Sequence, residues 1–578
     1  MCPYKSFYLY CVLLFCSIHL NSCAQENRPK IDYEKYFSQR ILRKAYSDNT
    51  SKEYLRSINA PFLEIGKIVP NGGSLRAFRG RVFDNKKESD LWDVFEESPY
   101  LAGPPMYYMR YVWCQLEDSN GKYLFDEVLE PVLKDCIGKK ARFTIGLLIN
   151  AYSIESVFAG YTNEDNGIKR KYSIPTYIFK KLQRSDHPMI KDDYYSKWWS
   201  PNLDSPYLYE RYEAFIKALA TWLEKPVNGT SIKRRDVIFA VEERYLSDWG
   251  EGGLWGATIP STNMIEKYHN VLLKTFNDKI IIAPSGLLSQ LPVKKKSYST
   301  KEKIIMKCVY NMLSTGTNKG NTGLFRDSWR AYDNVLDFDI NRMMMDKDGN
   351  EIPLYDYIVN HTFPNGYTTG EFGFLQNVEK YGLVPYQTLY YSFTHMKLNG
   401  ISIHNYTIRE NSINKDYPKT FIPYGSLQIA RDMLSVTGYR IVMNDSYIEK
   451  NSDGTFTVRI LFSNIGTSKM FADYYRPHLI VKDENNRLVG DYVVDFDLRT
   501  VLPSENIELG AYNPSHGYVL SYTLPSLKKG IKNANLYLRI DDVKGIEYPM
   551  TLSNYGRFLE KDGGDGSYKL GSLRINGN

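Results

Sequence analysis

The chain has 578 residues, 43% hydrophobic and 24% charged, with a net charge of +7 left by 73 basic and 66 acidic side chains. That length calls for more than one domain, the scattering of basic residues among acidic ones excludes a nucleic-acid footprint, and the lack of Pro, Ser or Gln tracts excludes a largely disordered chain. The outlying figure is aromatic content, 14%, with 48 tyrosines.

Residues 1–22 join a charged start at Lys5 to an apolar run and a small residue before Cys23, which reads as a signal peptide and not as a spanning helix. Leu20-Asn21-Ser22-Cys23 resembles a bacterial lipobox, in which the cysteine is lipidated and becomes the mature N-terminus. The expectation is an exported lipoprotein of a Gram-negative envelope, held to the outer membrane through Cys23. A plain secretory signal and an uncleaved anchor are the other readings of the same residues. Residues 23–74 follow as a polar tether and an N-terminal helical segment.

Cys2, Cys11, Cys16 and Cys23 belong to the leader, leaving Cys114, Cys136 and Cys308. An odd remainder without C-x-x-C spacing implies neither a disulfide framework nor a zinc site. The histidines are few and separated, so no metal is expected. "DKDGNE", Asp346 to Glu351, lacks the spacing of a calcium loop and reads as a hairpin turn. The lysines at 294–296 read as a solvated loop entering a helix.

Eight short apolar runs mark residues 75–432: "LRAFRGRVF", "MYYMRYVW", "ARFTIGLLIN", "DVIFAVEERYL", "KIIIAPSG", "TGLFRDSW", "TTGEFGF" and "GISIHNYT". Helical patterns separate them. In "SPYLYERYEAFIKALATWLEK", Tyr212, Phe215, Ala218, Leu219 and Trp222 recur at helical spacing on one face. Eightfold strand-helix alternation predicts an α/β fold, a closed (β/α)8 TIM barrel, with an open doubly wound sheet as runner-up. No Gly-rich phosphate loop follows any run, which disfavours the nucleotide-binding open sheets. From 433 to 578 short strands alternate with Asn, Asp and Gly turns, which predicts a C-terminal antiparallel β-sandwich. All eight tryptophans precede it. Tyr474 and Tyr475 could hold a sugar there, although packing against the barrel is the favoured role.

A parallel barrel does its chemistry at the carboxyl ends of its strands. Past the fourth run lies "DWGEGGLWG", with Glu251 among glycines and between Trp249 and Trp255; in the seventh lies Glu371 beside Gly370 and Gly373. Two glutamates at opposite mouths suit hydrolysis of a glycosidic bond with retention, which needs carboxyl groups about 5–5.5 Å apart, one protonated and one ionised. Trp and Tyr faces stack on the C–H faces of pyranoses, so Trp249 and Trp255 are candidate subsite walls. Glu242 and Glu243 compete with Glu251 but sit within the strand pattern, where a polar residue packs into a barrel layer or supports a neighbour. Other strand ends supply candidates for sugar hydroxyls: Arg110 and Trp113, Asn150, Arg326 with Asp327, and His404 with Asn405. Trp198 and Trp199, in the insertion after the third run, read as the start of the helix before the fourth, in a lid, a distal subsite or a hydrophobic brace.

"RYVWCQLEDSNGKYLFDEVLEPVLKDC" resembles the second-strand segment of barrel glycoside hydrolases related to family 42 β-galactosidases and the wider clan A, with Asp118 in place of the usual proline. The whole chain is more closely similar to a group of secreted bacterial proteins that pair such a barrel, bearing "G-x-W-G-E-W-H", with a C-terminal sandwich. "SDWGEGG" keeps Trp249, Gly250 and Glu251 of that segment and has Gly252-Gly253 where Trp-His is usual; "TTGEFGF" matches its "G-G-E" segment at Gly370 and Glu371. The clan uses the fourth-strand glutamate as acid/base and the seventh-strand glutamate as nucleophile. The resemblance therefore implies acid/base for Glu251 and nucleophile for Glu371. It implies a carbohydrate substrate with a β-linked glycan favoured, no cofactor, and other glycan-uptake proteins as companions. A glycan-binding lipoprotein on a degenerate barrel is the rival, favoured by Gly252-Gly253. A membrane-held scaffold, with the mouth filled by its own side chains, is the third reading.

Overall fold

The computed structural model describes residues 74–78, 106–149, 160–192, 198–246, 260–317, 322–329, 342–362, 365–372, 400–402, 438–464, 466, 468–503, 517–527, 531–550, 552 and 566–575. Eight strands form a closed barrel: β1 (Ser74–Phe78), β2 (Met106–Val112), β3 (Arg142–Leu148), β4 (Ile238–Arg244), β5 (Ile280–Pro284), β6 (Thr322–Trp329), β7 (Tyr367–Phe372) and β8 (Gly400–Ser402). Every neighbouring pair is parallel, and Ser74 opposite Gly400 closes the ring. That closure excludes the open sheet. Each strand coincides with one of the eight apolar runs, β1 and β7 starting one residue earlier. Both faces of β2 and β3 are buried throughout, which is why they read as continuous apolar runs and not as alternating ones.

Helices α1 (Glu130–Gly138), α2 (Thr176–Leu182), α3 (Pro206–Leu223), α4 (Thr262–Thr275) and α5 (Thr300–Thr317) are the main helices among the described residues. α3 starts where Ser205 caps the Leu208 amide and Pro206 fills the first position, which needs no N–H. It buries Tyr212, Phe215, Leu219 and Trp222, four of the five residues whose spacing marked that face. Strand alternation then divides the middle of β4: Val241 packs into the strand-helix core, while Ala240 joins Ile280, Ile282 and Tyr367 in a separate cluster. The DKDGNE segment turns the hairpin between Met343–Met345 and Glu351–Pro353, with Asp346 Oδ1 accepting from the Asp348 and Asn350 amides.

The excursion after β3 holds a four-stranded sheet in the order 161–165, 168–172, 198–200, 190–192. Asn166 and Gly167, at φ 49° and 77°, make the tight turn of its hairpin. Tyr161 packs on Val112, Cys114 and Leu148, so this sheet sits over the carboxyl ends of β2 and β3. Trp198 and Trp199 form a short strand of it, not the start of a helix; both are buried, and Trp199 meets Phe179 edge-on. They are the hydrophobic brace.

Two antiparallel sheets make the C-terminal sandwich. One runs β9 (Ile441–Lys450), β10 (Phe456–Asn464), β13 (Tyr518–Leu524); the other β12 (Leu488–Val493), β11 (Tyr475–Asp483), β14 (Asn533–Asp542), β15 (Tyr568–Arg574). Alternate residues such as Val458, Ile460, Leu479, Val481, Leu536 and Leu538 share one core between them. The sandwich covers the amino end of the barrel. Phe471 meets Tyr367, the first residue of β7, which in turn meets Phe239. Ile546 enters the barrel's strand-helix core, and Lys544 pairs with Asp236 at 3.1 Å just before β4.

The centre of this junction is Arg142, the first residue of β3. Its guanidinium reaches Asp542 at 2.5 Å and Glu547 at 3.1 Å and lies 3.6 Å from the centre of the Tyr474 ring, all of it buried. Tyr474 donates to Glu547 Oε1 at 2.9 Å, and Tyr475 donates to Oε2. Tyr474 and Tyr475 are thus interdomain packing residues with no face free for a sugar. Burial raises the Glu547 carboxyl above its ordinary value, against the opposing pull of Arg142.

Candidate active site

A parallel barrel carries its chemistry at the carboxyl ends of its strands. Just inside, β2, β3 and β4 carry a polar layer in register: Arg110 opposite Gly146, Gly146 opposite Glu242. A Cβ on Gly146 would lie 3.2 Å from Arg110 Cγ and 3.4 Å from Arg244 Cγ, so glycine lets the two arginine stems cross the third strand. Arg244 donates from Nε to Glu242 Oε2 at 2.8 Å, and from Nη2 to the Tyr108 hydroxyl at 3.1 Å. Arg110 Nε donates to the same hydroxyl at 2.5 Å. The layer is buried, with Arg110 at 7% exposure and Glu242 at 0%. A carboxylate held there is affordable only because it is paired and hydrogen-bonded.

Glu243, one residue on, points the other way. Its Oε2 lies 2.6 Å from His269 Nδ1 on α4, between the barrel and the helices. Glu242 is therefore part of a barrel layer and Glu243 supports a neighbouring helix, the two roles that in-strand glutamates were expected to fill.

Glu371 is the penultimate residue of β7, at its carboxyl end, paired with Ser402 of β8. Asp327 lies in β6, between Arg326 and Trp329, where the pairing with β7 slips register. Glu251, Trp249, Trp255, Asn150, His404, Asn405 and Cys23 lie outside the described residues. Asn150 directly follows described Ile149, at the end of β3, and His404 comes two residues after β8 ends.

Trp113 requires a correction. It was expected among the sugar contacts because it closes the second apolar run, but the chain turns helical there and carries the indole away from the mouth. Its ring packs against Tyr212 and Phe215 of α3 at 2% exposure, and its N–H donates to Glu117 Oε2 at 2.8 Å. Tyr177 donates to Glu117 Oε1 at 2.5 Å. Arg110 is likewise a member of the buried layer, bonded to Tyr108, and not a group in an open cleft.

Cys114 and Cys308 are buried thiols, and desolvation pushes both up to about 12, so neither supplies a thiolate nucleophile at neutral pH. Among the described residues no group of three or more His, Cys, Asp or Glu side chains could hold a metal ion. Sequence reasoning missed Tyr108, Arg244 and His269. The first two had a signal: Tyr108 and Arg110, like Glu242 and Arg244, stand two apart in an apolar run and so share a face. His269 lies on the same buried stripe of α4 as Ile265 and Leu272, but its partner is on another element.

Fold and site together define a closed (β/α)8-barrel protein with a C-terminal antiparallel sandwich and a buried polar layer across β2, β3 and β4. No family model matches the chain. No curated protein matches it either. Among solved structures it is similar to endo-glycoceramidase II from Rhodococcus sp. in complex with a cellobiose-like isofagomine (12% identity, 79% of this chain, 97% of that one, TM-score 0.32). A psychrophilic glycoside hydrolase family 10 endo-β-1,4-xylanase gives 8% identity over 58% of this chain and 86% of that one, TM-score 0.29. An exo-β-1,4-mannosidase from Opitutaceae bacterium strain TAV5 gives 10% over 64% and 55%, TM-score 0.31. At such scores function has to be read from the chain's own residues.

Proposed function

We propose that the protein hydrolyses glycosidic bonds with retention, on a β-linked glycan or oligosaccharide, through Glu371 as nucleophile and Glu251 as acid/base. The Glu371 carboxylate attacks the anomeric carbon as the glycosidic C–O bond breaks, and Glu251 gives its proton to the departing oxygen. Glu251, now a carboxylate, then takes a proton from water; the water oxygen bonds to the anomeric carbon and Glu371 is released. Trp249, Trp255, Asn150, Asp327, His404 and Asn405 contact the sugar in this reading. The observation that carries it is Glu371 at the carboxyl end of β7 in a closed barrel whose amino end is covered by the sandwich. Further support comes from the resemblance of the segments around Glu251 and Glu371 to clan A, the family 42-like relationship included. The same proposal has Cys23 lipidated and the protein held to the outer membrane.

The test is a screen of aryl glycosides and natural oligosaccharides with the soluble form beginning after Cys23, followed by NMR of the first product. Release of a sugar that keeps its anomeric configuration supports the reading. An inverted first product removes the nucleophile, and tight glycan binding without turnover leaves the binding lipoprotein.

A further inference from the structure

The stretch that carries Glu251 leaves the end of β4 and rejoins the described chain at Pro260, just before α4. Its two ends are therefore set by how β4 and α4 are held to one another. Three buried contacts do this, two between side chains and one from a side chain to a backbone carbonyl. Glu243 Oε2 meets His269 Nδ1 at 2.6 Å, with side-chain exposures of 0% and 3%. Two residues further, Tyr245 donates its hydroxyl to the Ile265 carbonyl at 3.0 Å. The Tyr245 ring also stacks on Tyr268, 4.9 Å between centres and 22° between planes. Outside the clamp, the Ser261 amide donates to Asp204 Oδ1 at 2.8 Å, tying the start of α4 to the residues before α3.

The central pair is buried, and the Tyr245 hydroxyl is a second polar group set against Glu243. Glu243 Oε1 and His269 Nε2 are themselves buried without a hydrogen-bond partner among the described residues. An apolar pair would fill this strand-helix interface at lower cost, since burying polar groups needs compensation that apolar ones do not. What the polar pair adds is direction. It fixes the rotation and height of α4 against β4 far more narrowly than side-chain packing alone.

We propose that Glu243 and His269, with Tyr245, are positioning residues for Glu251: a buried strut that sets both ends of the acid/base segment. The inference rests on the acid/base reading above. It makes Glu243 a support for the fourth-strand acid, not a rival to it.

The test uses the soluble protein and two aryl glycosides of the sugar it hydrolyses. Phenyl glycosides need their leaving oxygen protonated, whereas dinitrophenyl glycosides do not. A displaced acid costs about 100-fold at most per ångström, so Glu243→Ala is expected to slow phenyl glycoside hydrolysis about 10- to 100-fold and dinitrophenyl hydrolysis less than about 3-fold. Glu243→Gln, which keeps the bond to His269, should restore most of the loss. Tyr245→Phe keeps the ring stack, removes only the hydroxyl bond, and should show the same leaving-group pattern should Glu243→Ala not fold. Equal losses on both substrates, or none, while Glu251→Gln discriminates between them, overturn the strut alone. A Glu251→Gln variant that does not discriminate overturns the acid/base reading, and the strut with it.

Discussion

Replacing Arg142 with Leu is the most severe single change the junction offers. Its guanidinium is the shared counter-charge of Asp542 at 2.5 Å and Glu547 at 3.1 Å, and all three side chains are at most 2% exposed. Breaking one buried ion pair by removing a partner costs about 3–5 kcal/mol, because the remaining charge is left uncompensated. Two carboxylates do not double the loss. Asp542 keeps the Lys544, Ile546 and Glu547 amides, and Glu547 keeps the Tyr474 and Tyr475 hydroxyls. The desolvated stack on Tyr474 adds about 2 kcal/mol, which leucine replaces only in part. The expected loss is therefore about 4–6 kcal/mol, a large share of the roughly 5–15 kcal/mol that holds a native protein together. Urea denaturation followed by tryptophan fluorescence measures it on the barrel side, since all eight tryptophans precede the sandwich. Far-UV circular dichroism measures it on both domains. The triple variant Arg142→Leu, Asp542→Asn, Glu547→Gln should recover more than half. A loss under about 1 kcal/mol, or a barrel transition that does not move, would show that the junction is not the buried ion cluster described.

Glu547 gives a pH signature. Burial raises its pKa in the folded protein above the unfolded value, so the folded state binds the proton more tightly. Its contribution to stability is complete below the ordinary glutamate range and is lost as pH rises through the raised folded value. Glu547→Gln should lose less stability than the parent between acid and neutral pH, read as denaturation midpoints at several pH values; parallel curves would contradict the assignment. Trp113→Phe removes the N–H donated to the buried Glu117 carboxylate and should cost about 1–3 kcal/mol with glycan affinity unchanged. An affinity loss at unaltered stability would return Trp113 to the sugar site.

The barrel was legible because buried parallel strands are apolar runs and the helices between them carry their own spacing; all eight runs became strands. The sandwich was legible from alternation, as in β10, where Phe456, Val458, Ile460 and Phe462 point inward. What stayed hidden depends on direction or on distance. Trp113 stands one residue beyond a strand, where the two-residue alternation ends and no longer says which way a side chain points. Trp198 and Trp199 lie in a strand of three residues, too short to show a period. Tyr474 and Tyr475 take their role from Arg142 and Glu547, and those two are 405 residues apart, a contact no local pattern reveals. Glu243 needed only its parity beside Glu242 to be assigned outward, but its partner His269 had to come from the fold.

The most direct test of the central claim is hydrolysis by Glu371→Gln, measured beside the parent on the best glycoside of the screen. The two-carboxylate account predicts turnover lower by about two orders of magnitude or more, with glycan affinity and denaturation midpoint close to the parent's. Hydrolysis at the parent's rate would contradict it.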